Sequence, residues 1–304
     1  MKCEFKFQFK PYQNNFKQPL RTSHGIWRVR EGIIISLTDS AGIVSRGEIA
    51  PLPWFGSETL AEAKQFCRQL GNTVSESEIN NISDRLPCCQ FAVESAYRTL
   101  NMPSREAHNL NFCYLLPAGE KALDTWKSMY HNHAATTFKW KIGVLPLAAE
   151  TNILQQLCAE LPPEANLRLD ANGGLNIEQA QQLLSLTDNM QAIEFIEQPL
   201  PPENLDLILQ LNREYRTLLA LDESVASFEQ LQQVHQRGWQ GIYVIKAAIM
   251  GYPSRLVKFC QINNLDFVFS SVFATQIGRE AVLSLTQQLS HPRALGFGVQ
   301  HLFE

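Results

Sequence analysis

From Glu4 the chain alternates phenylalanine with lysine or glutamine in EFKFQF. GIIISLTD and GIVSRGEIA follow and meet at the turn residues DSAG. Strand side chains point alternately to opposite faces, so these stretches predict three strands in a meander. The rhythm then lengthens. SETLAEAKQFCRQL, from near Ser57, and CCQFAVESAYRTL, which runs to the breaker NMPS, predict two helices. Residues 1–104 therefore read as an α+β unit.

After residue 110 short apolar runs alternate with helical segments. FCYLLPA, TFKWKIG, LRLDANG, IEFIEQP, LLALDES, GIYVIKA, DFVFSS and ALGFGVQ predict eight strands. The helices between them carry readable ends. Asn176 with Gln179 and Ser227 with Gln230 form box-like starts, and Gly238 stops the second of these helices. Eight strands with intervening helices predict a barrel of parallel strands over residues 105–304. The eighth lies almost at the end of the sequence, which makes the expected architecture (β/α)7β, a modified TIM-type barrel of the α/β class. No G-x-G-x-x-G or P-loop follows any strand, which counts against an open doubly wound sheet.

Five of these strands end in a charge where a barrel strand is expected to be buried. Lys141, Asp170, Glu197, Asp222 and Lys246 are spaced 29, 27, 25 and 24 residues apart. Each gap is one strand–helix unit, so all five reach the C-terminal face, where barrel enzymes keep their active sites. Within strands, Phe195 shares a face with Glu197, Ala220 with Asp222 and Val244 with Lys246. Arg168 shares the face of Asp170. Glu194 and Glu223 have the opposite parity and are expected to point outward or to support the site from behind.

Three carboxylates on neighbouring strands repel one another unless protonated or held by a cation. With no His or Cys among them, the donor set points to a hard ion, Mg²⁺ in the first place, with Mn²⁺ as a possible substitute. Lys141 flanks the trio on one side and Lys246 on the other. A carboxylate substrate bound there can lose the proton on its adjacent carbon while the ion stabilises the charge on its oxygens. Lys139 lies on the same strand face as Lys141. A lysine beside a second amine and a divalent ion has its ammonium form disfavoured, which makes Lys141 the expected base. Lys139 is expected either to tune that base or to touch the substrate.

Composition excludes other classes. The formal net charge is −4, and no lysine or arginine run is dense enough to track nucleic-acid phosphates. The seven cysteines are irregularly spaced with no C-x-x-C pair, which predicts reduced thiols in a cytoplasmic protein. The N-terminus reads as a strand and not a signal peptide, and no stretch approaches the roughly 20 apolar residues of a membrane span. The expected partner is a small-molecule carboxylate; oligomeric state is not legible.

The K-x-K of KWK, the Asp of LDANG, the Glu of EQP, the Asp of LDES and the lysine of VIKAAIMG together resemble the enolase superfamily, and within it the muconate-lactonizing subgroup. The resemblance covers nearly the whole chain and implies that residues 1–104 are a capping domain. The stretch from LRTSHGIWRVREG to GEIAPLPWFGSETLAEA is similar to the caps of members that carry out a syn dehydration in menaquinone or phylloquinone synthesis. There a succinyl-hydroxycyclohexadiene carboxylate loses water and becomes aromatic. By that likeness Lys141 takes the proton and then helps hydroxide leave as water, while Lys246 stays cationic on the opposite face. Ser270 and Ser271 become candidate substrate contacts, although Ala274 stands where the family often has a glutamate. Gly173 and Gly174 after DAN imply a looser loop.

The resemblance also implies a lid. KQPLRTSHG is the candidate loop, with WFGSET either a second lid element or simply the entry to its helix. Arg21 either meets the succinyl carboxylate or is an ordinary surface arginine; His24 is a weaker candidate. Two rivals remain. N-acylamino acid racemases and dipeptide epimerases use the same lysines and metal, but the eighth strand lacks the Asp-x-Asp that dipeptide epimerases usually carry. A metal-stabilised binding module would need the acids but would leave Lys141 and Lys246 without a task.

Overall fold

The structure, a computed structural model, describes residues 4–22, 25–101, 110–289, 293–299 and 302–303. The alternating N-terminal pattern forms two long strands, β1 (Glu4–Thr22) and β2 (Gly25–Thr38), paired antiparallel from Lys6–Thr38 to Thr22–Gly25. With β3 (Val44–Ile49) and β4 (Thr73–Ser75) they make one sheet in the order β3-β2-β1-β4. Phe5, Phe7, Ile33, Ile35 and Leu37 form its buried face. Helices α1 (Leu60–Leu70) and α3 (Pro87–Asn101) pack on the sheet, and a short α2 (Glu76–Ile79) lies between them in sequence. Thr59 and Glu62 form a reciprocal capping box that starts α1 two residues beyond the expected Ser57.

The segment expected as a lid loop, 17–25, is largely strand. Leu20 pairs with Trp27 and Arg21 with Ile26, after a register shift between Asn15 and Leu20. Cross-strand pairing satisfies the backbone even though these side chains lack a strong apolar rhythm, so the hairpin runs further than the pattern indicates.

The second unit alternates as expected. Its strands are β5 (Phe112–Leu116), β6 (Thr137–Lys141), β7 (Asn166–Asp170), β8 (Ile193–Glu197), β9 (Leu219–Leu221), β10 (Ile242–Ile245), β11 (Phe267–Phe269) and β12 (Leu295–Gly298). Between them run α4 (Ala122–His133), α5 (Leu147–Glu160), α6 (Ile177–Thr187), α7 (Leu205–Glu214), α8 (Phe228–Gln236), α9 (Pro253–Asn263) and α10 (Gln276–Thr286). Neighbouring strands are parallel in the order β11-β10-β9-β8-β7-β6-β5-β12, and a parallel bridge between Ser270 and Gly296 joins the two ends. This is a (β/α)7β barrel. Asn176 and Ser227 cap α6 and α8 as their sequences predict. The expected boundary between residues 104 and 105 lies outside the described residues.

Phe195, Ala220, Ile242, Val244 and Val268 form a small cluster of their own, separate from the main core. These are the inward rows of β8 to β11. Paired with Phe195 across the sheet, Arg168 is 2 % exposed, with its guanidinium 4.8 Å from the Phe195 ring centre. Its Nε donates to Glu194 at 2.6 Å and its Nη1 to the Ala294 carbonyl at 2.8 Å. Arg293 adds a bond to Glu194 at 2.7 Å and a bidentate pair to Asp266 at 2.7 Å. Glu194 thus serves the floor of the barrel and does not point outward. A register shift lets Leu167 face Ile193 while Arg168 faces Phe195, and Glu194 is the extra residue of that bulge. No described helix is long and apolar enough to cross a membrane.

Candidate active site

Strand parity places the site. On β6, Phe138 and Trp140 are fully buried against the outer helical layer, which turns Lys139 and Lys141 toward the interior. Lys141 pairs across the sheet with Asp170, and Asp170 with Glu197. Asp222 and Lys246 each follow directly on the ends of β9 and β10. Asp170, Glu197, Asp222 and Lys246 are all buried.

The amines are not equivalent. Lys139 Nζ lies 2.8 Å from Asp170 Oδ2 and 2.7 Å from Glu197 Oε1, bridging the two acids. Lys246 donates to Asp222 and also sits 4.0 Å from the ring centre of Phe55, a cap residue. The Lys141 amine makes no hydrogen bond or ion pair among the described residues. The disfavoured ammonium expected of a lysine beside a second amine is not found at Lys139. Burial works against its charge, but Asp170 and Glu197 outweigh it and hold the ammonium well above its usual range. Asp170, despite burial, is drawn below the usual carboxylate range by Lys139. Glu197 goes the other way: burial and then the charge of Asp170 push it up to about 8.

The turns behind these residues are strained and bonded. Gln198 is fully buried, with φ of +39°. Its Oε1 accepts from the backbone N–H of Asp222 and of Ser224, both at 3.1 Å, and its Nε2 donates to Ser224 Oγ at 2.8 Å. Asn172, at φ +44°, donates through its backbone to Asp170 Oδ1 at 3.1 Å and through Nδ2 to Glu223 Oε1 at 3.1 Å. Left-handed backbone at non-glycine residues costs energy and persists where the surroundings enforce it. Burial, then the neighbouring Asp222, pushes Glu223 up to about 7. Glu223 Oε2 and Asn172 Oδ1 are buried without a hydrogen-bond partner among the described residues. Glu223 is thus bonded to Asn172, the residue whose backbone meets Asp170.

No three His, Cys, Asp or Glu side chains among the described residues are drawn into a preformed cage. Two ammonium groups balance the acids instead. Even so, the donor set suits a divalent cation. Asp170 and Glu197 already converge on one positive centre, the Lys139 amine, and the oxygens are of the hard kind that Mg²⁺ takes.

The remaining candidates separate. Ser270 follows β11 on the face of Val268, beside Gly296 of the closing bridge. Ser271 Oγ accepts from the Phe273 N–H at 2.9 Å within its own turn. The backbone of Arg21 lies in the hairpin, but its side chain, like all of His24, lies outside the described residues. The Gly173–Gly174 loop is tied rather than loose: Gly173 N–H donates to the Gln198 carbonyl at 2.7 Å, and a Cβ there would lie 3.1 Å from Pro201.

Sequence reasoning named WFGSET only as a lid element or helix entry; it did not set Phe55 against Lys246, and it missed Gln198 and an aromatic group shared by cap and barrel. Phe16 packs on Trp27 at 5.0 Å, Phe303 at 4.7 Å and Phe273 at 5.7 Å, and Trp27 meets Trp54 at 5.0 Å. The run PLPWF, two aromatics in a turn-rich segment, was the available signal for two of these residues.

Residues 121–300 match the family described as Enolase C-terminal domain-like, and residues 12–100 match that described as MenC, N-terminal domain. An o-succinylbenzoate synthase of Thermosynechococcus vestitus is 38% identical over 298 residues, 97% of this chain and 92% of the relative. A crystal structure of o-succinylbenzoate synthase from Thermosynechococcus elongatus BP-1, complexed with Mg in its active site, superposes with a TM-score of 0.92 at 38% identity, over 98% of this chain and 94% of the other. The L-Ala-D/L-Glu epimerase of Bacillus subtilis, at 18% identity, shares the fold with a TM-score of 0.85, over 100% and 92% of the two chains.

Proposed function

Since this chain belongs to the enolase superfamily, we propose that it is a Mg²⁺-dependent carbon–oxygen lyase carrying out the o-succinylbenzoate synthase reaction. In that reaction 2-succinyl-6-hydroxy-2,4-cyclohexadiene-1-carboxylate loses water by syn elimination to give 2-succinylbenzoate, a step of menaquinone or phylloquinone biosynthesis. Residues 1–104 form the capping domain and 105–304 the catalytic barrel. The observation that carries the reading is the division of labour among the mouth lysines. One is locked between two acids, one is held on Asp222 under Phe55, and Lys141 alone is unpaired among the described residues.

Asp170, Glu197 and Asp222 would hold the cation, and Mn²⁺ is a plausible replacement on the same oxygens. When bound it supplies positive charge to the substrate carboxylate as the adjacent C–H bond breaks. The amine of Lys141 takes that proton. The ring electrons form the new double bond, the C–O bond breaks, and the proton carried by Lys141 leaves with hydroxide as water. Lys246 remains an ammonium on the opposite flank and steadies the charge on the carboxylate oxygens. Lys139 maintains Asp170 and Glu197 side by side. Ser270 is the better placed of the two serines to meet substrate, and Arg21 is proposed for the succinyl carboxylate. A cytoplasmic setting belongs to the same proposal, and the described cysteines are unbridged.

The test is to incubate the protein with Mg²⁺ and the cyclohexadiene carboxylate in deuterium oxide, with N-acyl amino acids in parallel. Aromatic product from the first supports the lyase. Deuterium at Cα of the second without aromatic product assigns a racemase instead.

A further inference from the structure

Glu48 is a fully buried carboxylate that lies outside the acid trio. It stands near the end of β3, where the cap meets the barrel, and it collects four hydrogen bonds. Tyr12 donates its hydroxyl to Oε1, and the Thr275 hydroxyl donates to Oε2. The backbone N–H of Thr275 donates to Oε1 and that of Gly278 to Oε2, each at 2.9 Å. Thr275 is the N-cap of α10 and Gly278 lies in its first turn. A helix leaves its first N–H groups without internal partners and presents partial positive charge there. Of the first-turn N–H groups, the Thr275 hydroxyl itself takes that of Ile277, at 3.3 Å. The rest comes from a residue 227 positions earlier in the chain.

Both segments that Glu48 joins lead to the mouth. Downstream the chain runs through Pro51, whose carbonyl accepts from buried Arg30 Nη1 at 2.9 Å, to Phe55 over the Lys246 ammonium. Upstream of Thr275 it runs back through Phe273, which packs on Trp27 at 5.4 Å, to Ser270 at the end of β11. The contact is also closely fitted: a Cβ at Gly278 would lie 2.9 Å from Glu48 Oε2.

We infer that Glu48 is a positioning residue for turnover. By capping α10 it clasps the cap to the barrel and holds the 50–55 segment, with Phe55, against Lys246. It touches no reacting atom. The inference rests on the dehydration reading above. A glutamine there keeps the shape but loses the charge, and its NH₂ faces donors instead of accepting from them.

The test compares wild type, Glu48→Gln, Thr275→Ser and Thr275→Val, all with Mg²⁺ and well below their melting temperatures. Steady-state kinetics on the cyclohexadiene carboxylate are read beside amide hydrogen exchange. Glu48→Gln lowers kcat/KM about tenfold, mainly through kcat, because Lys246 acts most strongly on charge present only in the transition state. Thr275→Val loses about threefold and Thr275→Ser, which keeps the hydroxyl, stays within about twofold of wild type. Mg²⁺ affinity is unchanged, and exchange quickens at 50–56 as well as at 275–278. A folded Glu48→Gln protein with wild-type kcat, or exchange that quickens in α10 alone, overturns the clasp. If Glu48→Gln does not fold, the Thr275→Val and Thr275→Ser pair decides by the same readouts. If wild type does not dehydrate the substrate, the dehydration reading fails and exchange at 50–56 alone decides the clasp.

Discussion

The two ends of the barrel both bury ionic networks, and they are built from different cations. The floor uses arginine. Arg168 and Arg293 reach Glu194 and Asp266 through forked bonds of 2.6–3.2 Å, and a backbone carbonyl takes one of the remaining donors. Guanidinium stays charged at all working pH values and matches carboxylates bidentately. The mouth uses lysine, a point charge that can give up its proton. It also leaves Glu223 Oε2 and Asn172 Oδ1 unsatisfied and Lys141 unpaired among the described residues. A saturated network of fixed charges can only hold the strands in place. An unsaturated one with a titratable amine can move a proton.

The sharpest way to break that contrast is to remove one cation from each end. Lys141→Ala is expected to lower kcat by about a thousandfold or more, in the range that positioned acid–base groups supply. Its melting temperature should stay near that of wild type, because no described ion pair is lost. Substrate turnover and thermal melting measured together check this; residual activity within tenfold of wild type would remove Lys141 from the chemistry. Arg168→Met should do the reverse. Breaking a buried pair leaves its partner charge uncompensated, which costs about 3 kcal/mol. Urea unfolding should show that loss, while the folded fraction retains kcat within about threefold.

Much of this division is legible in the sequence. The barrel was legible because short apolar runs alternated with capped helices, and the mouth because strand parity carries Phe195, Ala220 and Val244 directly up to Glu197, Asp222 and Lys246. The floor was not. Glu194 changes partners through a bulge, and one inserted residue leaves no mark in the apolar rhythm. The hairpin beyond Asn15 was missed because backbone pairing, not side-chain pattern, holds it. The partners of Lys139 carry no mark in the sequence, because its long side chain reaches carboxylates on the next two strands, Asp170 and Glu197. Contacts between cap and barrel, such as Glu48 with Thr275, join positions with no local signal at all.

Proton linkage tests the same contrast more finely. In the metal-free protein Glu197 and Glu223 keep their protons up to about 8 and about 7, against an ordinary value of 4.5. Over that window the folded state binds more protons than the unfolded one, so stability falls as pH rises and levels off above it. The arginines of the floor add no slope. Chelated protein should therefore show a urea midpoint that declines between about pH 5 and pH 8, with a shallower decline in Glu197→Gln. Saturating Mg²⁺ should flatten it. A midpoint that climbs across the window would mean that the mouth acids are already compensated, as those of the floor are.

The smallest effect is expected where the cap touches the mouth. Phe55 offers its ring face to Lys246 at 4.0 Å, and the floor has a counterpart in Phe195 beside Arg168 at 4.8 Å. A ring face adds about 1 kcal/mol to a partly desolvated cation, so it matters only where the cation is otherwise short of partners. Arg168 has several bonds besides its ring. Among the described residues the Lys246 amine hydrogen-bonds only Asp222, a carboxylate that also belongs to the proposed metal set. Phe55→Leu, which keeps the apolar volume and removes the quadrupole, should lower kcat about fivefold. Phe55→Tyr should retain it within about twofold. Parallel Phe195→Leu protein should lose stability and not kcat. If Phe55→Leu instead alters only KM, the ring serves to cover the substrate, and Lys246 owes its place to Asp222 alone.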